Sequence, residues 1–208
     1  MKNNNLDNEF WRENVVSCAV TYANHIWKST INNLFHGYDT DGILVNTPDL
    51  NYISNKYNCG WWIIEQFNKG VPYNWGGCTT IEEFDTGIAD GKFAGNVPDY
   101  RDNGVGKYCV GVDCSGLVKI CWGLTKRVST VSITNIATPL NSTNLLLPGD
   151  IILLPGSHVM IFISFLDNEK KSIQIVDSSR ITGRVLLRIE DLSNLIKRGY
   201  RGYRKNIE

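Results

Sequence analysis

Three observations predict an α+β chain. Apolar residues recur at helical spacing in the first part, an amphipathic helix opens at Cys114, and strand-like runs follow it with turn residues between them. Residues 7–36 read as helical, because Phe10, Trp11, Val15, Ala19, Tyr22, Ala23, Ile26 and Ile31 keep that spacing. A loop rich in Gly37, Asp39, Asp41 and Gly42 follows. Thr47-Pro48-Asp49 is then suited to open a second helix, with Thr47 as cap and Pro48 in the first turn. Residues 61–68, carrying Trp61, Trp62, Ile63, Ile64 and Phe67, read as a short buried segment. Residues 71–112 are loop-rich, with one short helix near Ile81–Phe84.

The texture changes at Asp113. Leu117, Val118, Ile120, Cys121 and Leu124 mark the amphipathic helix from Cys114. Beyond a loop at Ser129–Thr143, strands are expected at Asp150–Leu154, His158–Phe165, Ser172–Val176 and Val185–Ile189. Pro148-Gly149, Pro155-Gly156 and Asp167-Asn168 supply the turns, so the second half reads as one helix followed by an antiparallel meander.

Composition narrows the function. The chain has 208 residues with 21 Lys plus Arg against 21 Asp plus Glu, a formal net charge of zero. That balance argues against a protein that tracks phosphates, so no nucleic-acid partner is expected. The most apolar stretch, Leu145 to Ile163, is broken by Pro148, Gly149, Asp150, Pro155, Gly156 and His158, so no membrane span is expected. The start, Met1 to Asp7, is polar and lacks a signal-peptide core. The expectation is a soluble chain that is cytoplasmic, or that is released or delivered by a route without a signal. Cys18, Cys59, Cys78 and Cys109 lack zinc-ligand spacing, and no metal or cofactor is expected. A disulfide between two of these four stays open for an exported protein.

The chemistry concentrates at Val112-Asp113-Cys114-Ser115-Gly116-Leu117, which places a cysteine in the first turn of a helix. The unpaired N–H groups and the dipole of a helix N-terminus favour an anion there. Gly116 is expected to keep the turn small and leave room for a substrate. Cys121, seven residues on, reads as an ordinary buried thiol. A nucleophilic cysteine needs a base, and there are three histidines. His25 and His36 lie outside any motif. His158 follows the Pro155-Gly156-Ser157 turn at the start of a strand. An orienting group for its ring is expected on the next strand, where Gln174 and Asp177 alternate to opposite faces. Asp177 is favoured, because the strand is expected to open into a loop there and spare the carboxylate deep burial.

These residues resemble a family. Asp113-Cys114-Ser115-Gly116, then Pro148-Gly149-Asp150, then His158-Val159, with Val71-Pro72-Tyr73-Asn74-Trp75-Gly76-Gly77 upstream, resemble the NlpC-type cysteine peptidases. These are papain-like enzymes that cut bacterial cell-wall peptides. The resemblance spans about residues 70–205. It implies a papain-like fold in which the nucleophile helix packs on an antiparallel sheet. It implies Cys114 as nucleophile, His158 as general base and acid, and Asp177 in a third position more often held by His, Glu, Asn or Gln. It places Tyr73 near the oxyanion, and Trp75, Gly76 and Gly77 along the cleft opposite the cysteine. In several family members the residues matching Asp113 and Ser115 help bind substrate; Asp113 reads equally as the helix N-cap. The implied partner is a peptidoglycan stem peptide or muropeptide, cut typically between γ-D-glutamate and the following diamino acid.

The resemblance divides the chain into a helical extension, 1–69, packed on the core, and a peptidase domain, 70–208. Trp11, Trp27, Trp61 and Trp62 are suited to wall a glycan site but read first as core. The alternatives are an amidase, deamidase or acyltransferase on the same fold acting on a non-wall substrate, and a catalytically silent wall-binding module.

Overall fold

A computed structural model of the chain describes residues 3–52, 59–98 and 104–206. In chain order its elements are α1 (Asn3–Asn24), β1 (Ile26–Lys28), β2 (His36–Tyr38), β3 (Leu44–Asn46), β4 (Phe67–Lys69), α2 (Ile81–Ala89), β5 (Phe93–Ala94), β6 (Cys109–Val110) and α3 (Cys114–Cys121). Then come β7 (Ala137–Pro139), β8 (Ile151–Leu154), β9 (His158–Phe165), β10 (Ser172–Ser179), β11 (Arg184–Asp191), α4 (Leu192–Lys197) and β12 (Arg201–Lys205). The mixed α+β composition is as expected. The chain divides into two compact units. One comprises Met1–Thr21, Val118–Asp177 and Leu187–Glu208; the other comprises Tyr22–Leu117 and Ser178–Leu186.

The first unit is built on a six-stranded sheet ordered β11-β10-β9-β8-β12-β7. β8 and β9 form a tight hairpin in which Leu154 pairs with His158 and Ile151 with Ile161. Gly156 supplies the left-handed residue of its turn, at φ 72°. Ile152, Met160, Phe162, Ile173 and Ile175 form one buried cluster with Leu192 and Leu195 of α4, which Asp191 caps by accepting the Asn194 N–H at 2.8 Å. The alternate residues Ile151, Leu153, Val159 and Ile161 are fully buried as well. Burial on both faces explains why these strands read as unbroken apolar runs. The expected meander is present, with β10 running three residues past Val176 and with β12, α4 and β7 added.

One buried carboxylate ties this unit together. Asp150 has no exposure, and it accepts hydrogen bonds from Arg12 of α1 at 2.9 Å, from Nη2 of Arg204 on β12 at 2.7 Å, and from the Leu147 N–H at 3.0 Å. Two guanidinium partners and a backbone donor compensate the cost of taking the charge out of water.

The second unit has an aromatic core. Trp27 and Trp62 are buried, and the Trp27 ring meets Trp61, Trp62 and Phe84 edge-on at 6.0, 5.8 and 5.3 Å between centroids. β1 pairs with β4, β2 with β3, and β5 with β6, the last in parallel. The short helix near Ile81 is α2, extended to Ala89 and opened by a capping box in which Thr80 and Glu83 exchange hydrogen bonds.

Three expectations in the N-terminal third need correction. The helical stretch 7–36 ends at Asn24, because Gly70 and Val71 donate to the carbonyls of His25 and Tyr22 and draw the chain into β1 beside β4. Ile26 and Ile31, which continued the helical spacing, are 55% and 64% exposed. No helix opens at Pro48 within residues 47–52: Asp49 bridges to Trp62 and Tyr52 donates to the Asp49 carbonyl in a turn. Residues 53–58 lie outside the described residues, as do 99–103 of the loop-rich stretch. The 61–68 segment is buried only in part, with Trp62 fully enclosed and Phe67 79% exposed.

Candidate active site

The nucleophile candidate belongs to the second unit. Cys114 is the first residue of α3 and is half-buried. Asp113 sits at the N-cap. Its Oδ1 accepts the Gly116 N–H at 2.6 Å and the Ser115 hydroxyl at 3.0 Å, and its Oδ2 accepts the Gly76 N–H at 3.1 Å. Its own N–H donates to the Gly77 carbonyl at 3.0 Å. Both oxygens of Asp113 accept backbone N–H groups, and the Gly116 bond is the one a helix N-cap carboxylate makes. Ser115 is buried with its hydroxyl directed to Asp113.

Gly76 and Gly77 lie directly against the first turn of α3. Gly76 adopts φ 74°. A Cβ on Gly116 would fall on the Gly77 carbonyl oxygen and within 3.1 Å of both Asp113 Oδ1 and the Cys78 Cβ. Gly116 thus makes room for another stretch of this chain, where the sequence suggested room for a substrate. Val112 is bridged by Tyr73 and Cys78, and its carbonyl accepts the Ser178 hydroxyl at 2.7 Å. Tyr73 is buried with Cys59 and Val97, and its N–H donates to Gly183. Trp75 packs against the same cluster with the Arg180 guanidinium 5.1 Å from its ring centre.

The base candidate belongs to the first unit. His158 opens β9 immediately after the Gly156 turn, and its Nε2 lies 2.6 Å from Asp177 Oδ2. Asp177 is also held by a two-pronged contact from Arg188, whose Nε donates to Oδ1 and Nη2 to Oδ2, each at 2.9 Å. Arg188 in turn pairs with Glu190. Burial pushes the Asp177 carboxyl upward, but the Arg188 and His158 hydrogen bonds outweigh it and bring the carboxyl down to about 2. Asp177 is fully buried inside β10, so the expected escape into a loop does not occur. What makes the burial tolerable is the arginine fork. Gln174 pairs with Ser164, at the far end of β9 from His158, on the other side of a bulge between Gln174 and Ile175.

A histidine–aspartate contact alone does not single out His158, since His25 lies 2.7 Å from Asp85 and His36 lies 2.8 Å from Asp49. Asp85 is half exposed. Asp49 also accepts the Thr47 hydroxyl, and His36 stacks on Tyr52, so that pair holds the loop around residue 47. Among the described residues, only the His158 contact has its carboxylate locked from behind by an arginine. Arg188 escaped the sequence reading, although a single arginine within Val185-Leu186-Leu187-Arg188-Ile189 was its visible signal. Among the other thiols, burial first and then Asp39 push Cys109 up to about 12, and burial pushes Cys121 well above the usual thiol range. Neither is held as a resting thiolate.

Among the described residues, no cluster of three or more His, Cys, Asp or Glu is placed to hold a metal ion, and no helix is long and apolar enough to cross a membrane. No protein-family model matches the chain, and no curated protein matches it.

Proposed function

We propose that the chain is a papain-like cysteine hydrolase that cleaves an amide bond in peptidoglycan stem peptides. The observation that carries the reading is the Arg188–Asp177–His158 relay, in which a fully buried carboxylate fixes the Nε2 side of the ring. In this reading Nδ1 is the nitrogen that exchanges a proton with the nucleophile. Cys114, at the first turn of α3, is the nucleophile. The Cys114 thiolate adds to the amide carbonyl, and N–H donors around the first turn of α3 stabilise the oxyanion. The imidazolium of His158 gives its proton to the leaving amine, leaving a thioester on Cys114. Water, deprotonated by His158, then releases the acid and restores the thiol. Asp177 keeps its charge throughout, because the Arg188 and His158 hydrogen bonds hold its carboxyl down at about 2. The resemblance of the four sequence elements supports wall peptides as the substrate class, with the γ-D-glutamyl–diamino acid bond as the expected point of cleavage.

The test uses purified sacculi and defined stem peptides with the full chain and its Cys114→Ala variant, products being read by mass spectrometry. The expected result is a new amine and carboxyl terminus at one amide bond with the unaltered chain alone. Equal product from both proteins removes Cys114 from the mechanism. If neither wall substrate is cut, wall peptides are excluded and the same thiol chemistry must be sought on another amide or acyl donor.

A further inference from the structure

Cys18 and Cys121 are 103 positions apart in sequence, yet their sulfur atoms are 2.8 Å apart, with Cys121 donating a thiol hydrogen bond. Cys18 lies on the face of α1 that buries Val15 and Ala19, and Cys121 closes α3 one turn beyond Val118. The approach is built into the packing of this unit. Trp11 of α1 meets Trp122, the residue after Cys121, at 6.2 Å between ring centres, and Lys205 lies over Trp11 while donating to the Trp122 carbonyl. A disulfide bond is about 2.05 Å long, so closing the pair requires less than about 1 Å of movement.

We propose that Cys18 and Cys121 are a redox pair that closes to an intramolecular disulfide, stapling the end of α3 to α1. The two thiols differ in a way that orders the reaction. Cys121 is buried, whereas Cys18 is partly exposed. The hydrogen bond from Cys121 lowers the Cys18 thiol, outweighing the upward push of burial there. A small-molecule disulfide therefore reacts first at Cys18. The Cys18 thiolate attacks one sulfur, forming a mixed disulfide and expelling one thiolate. Cys121 then attacks the Cys18 sulfur, loses its proton, and displaces the second small thiol. Two protein thiols and one small disulfide become one protein disulfide and two small thiols, and an excess of thiol reverses the exchange.

The experiment incubates the full chain with oxidised glutathione, blocks remaining thiols with iodoacetamide under denaturing conditions, and maps the peptides by mass spectrometry. The expected product links the Cys18 and Cys121 peptides with the loss of two hydrogens, and dithiothreitol removes the link. Closing a loop of about 100 residues is expected to raise Tm by about 10 °C. In Cys121→Ala, glutathione stays on Cys18 as a mixed disulfide, because the second step has lost its thiol. Recovery of both cysteines alkylated from the oxidised chain overturns the proposal, as does a link that joins either of them to a different cysteine. Neither result depends on the hydrolase reading, since no activity is measured.

Discussion

Replacing Arg188 by Met tests the relay most directly, because it removes the fork and keeps much of the aliphatic stem. In the folded chain the Asp177 carboxyl stands at about 2, against an ordinary value of 3.8. At about 1.4 kcal/mol per pK unit, that gap corresponds to about 2–3 kcal/mol of stability. This contribution is complete above the ordinary value and is lost as pH falls through about 2. Without Arg188, burial dominates and the carboxylate keeps only His158. Breaking a buried ion pair from one side costs about 3–5 kcal/mol, and the surviving histidine sets the lower end, about 3 kcal/mol at pH 7.5. The variant's Asp177 then takes up its proton at a higher pH than the parent's, so the deficit must shrink on acidification. Urea unfolding followed by tryptophan fluorescence at pH 7.5 and pH 4 measures both quantities. A deficit below about 1 kcal/mol at pH 7.5, or one that is flat or larger at pH 4, refutes the reasoning. Arg188→Lys keeps the charge without the fork and is expected to recover about half the loss.

Other outcomes follow from the same contacts. Asp150→Ala leaves the Arg12 and Arg204 guanidinium groups facing each other without their carboxylate and should cost about 3–5 kcal/mol in urea unfolding. Gly116→Ala forces its new methyl against the Gly77 carbonyl and should cost about 2–3 kcal/mol, read as a fall in Tm of several degrees. Trp62→Ala removes a fully buried ring and should cost about 3–5 kcal/mol by the same unfolding measurement. On the proposed substrate, His158→Asn should lower kcat by at least about a thousandfold, while His25→Asn and His36→Asn keep more than half of it; loss of activity in the latter two would mean that the wrong histidine has been named.

The strands after Asp150 were legible because each is an apolar run closed by turn chemistry, and β9 starts and ends where the sequence places it. The start of α3 was legible for a similar local reason, an Asp cap followed by an amphipathic period. The N-terminal third misled because Ile26 and Ile31 continue a helical rhythm that nothing nearby contradicts. What ends the helix is a pairing with residues 67–71, too distant to register in a local pattern. The meeting of His158 and Asp177 was anticipated by strand logic, but the reason given for Asp177 was mistaken. Its burial is bearable because of an arginine eleven residues on, and no spacing rule anticipates a cross-strand fork. The Cys18–Cys121 approach was invisible for the same reason, since two helix faces bring the thiols together.

The clasp of Asp113, Gly76, Gly77 and Gly116 bears on how this protein is to be engineered. Its contacts are made by main-chain atoms and one carboxylate, so the backbone at the start of α3 is fixed by how the chain is clasped there. On the proposed hydrolase reading, a library that varies these four positions to change substrate choice would mostly return chains with a damaged first turn of α3, and inactive clones from it would say nothing about recognition. Screens for altered selectivity should leave the four residues fixed and diversify side chains that have no main-chain duty.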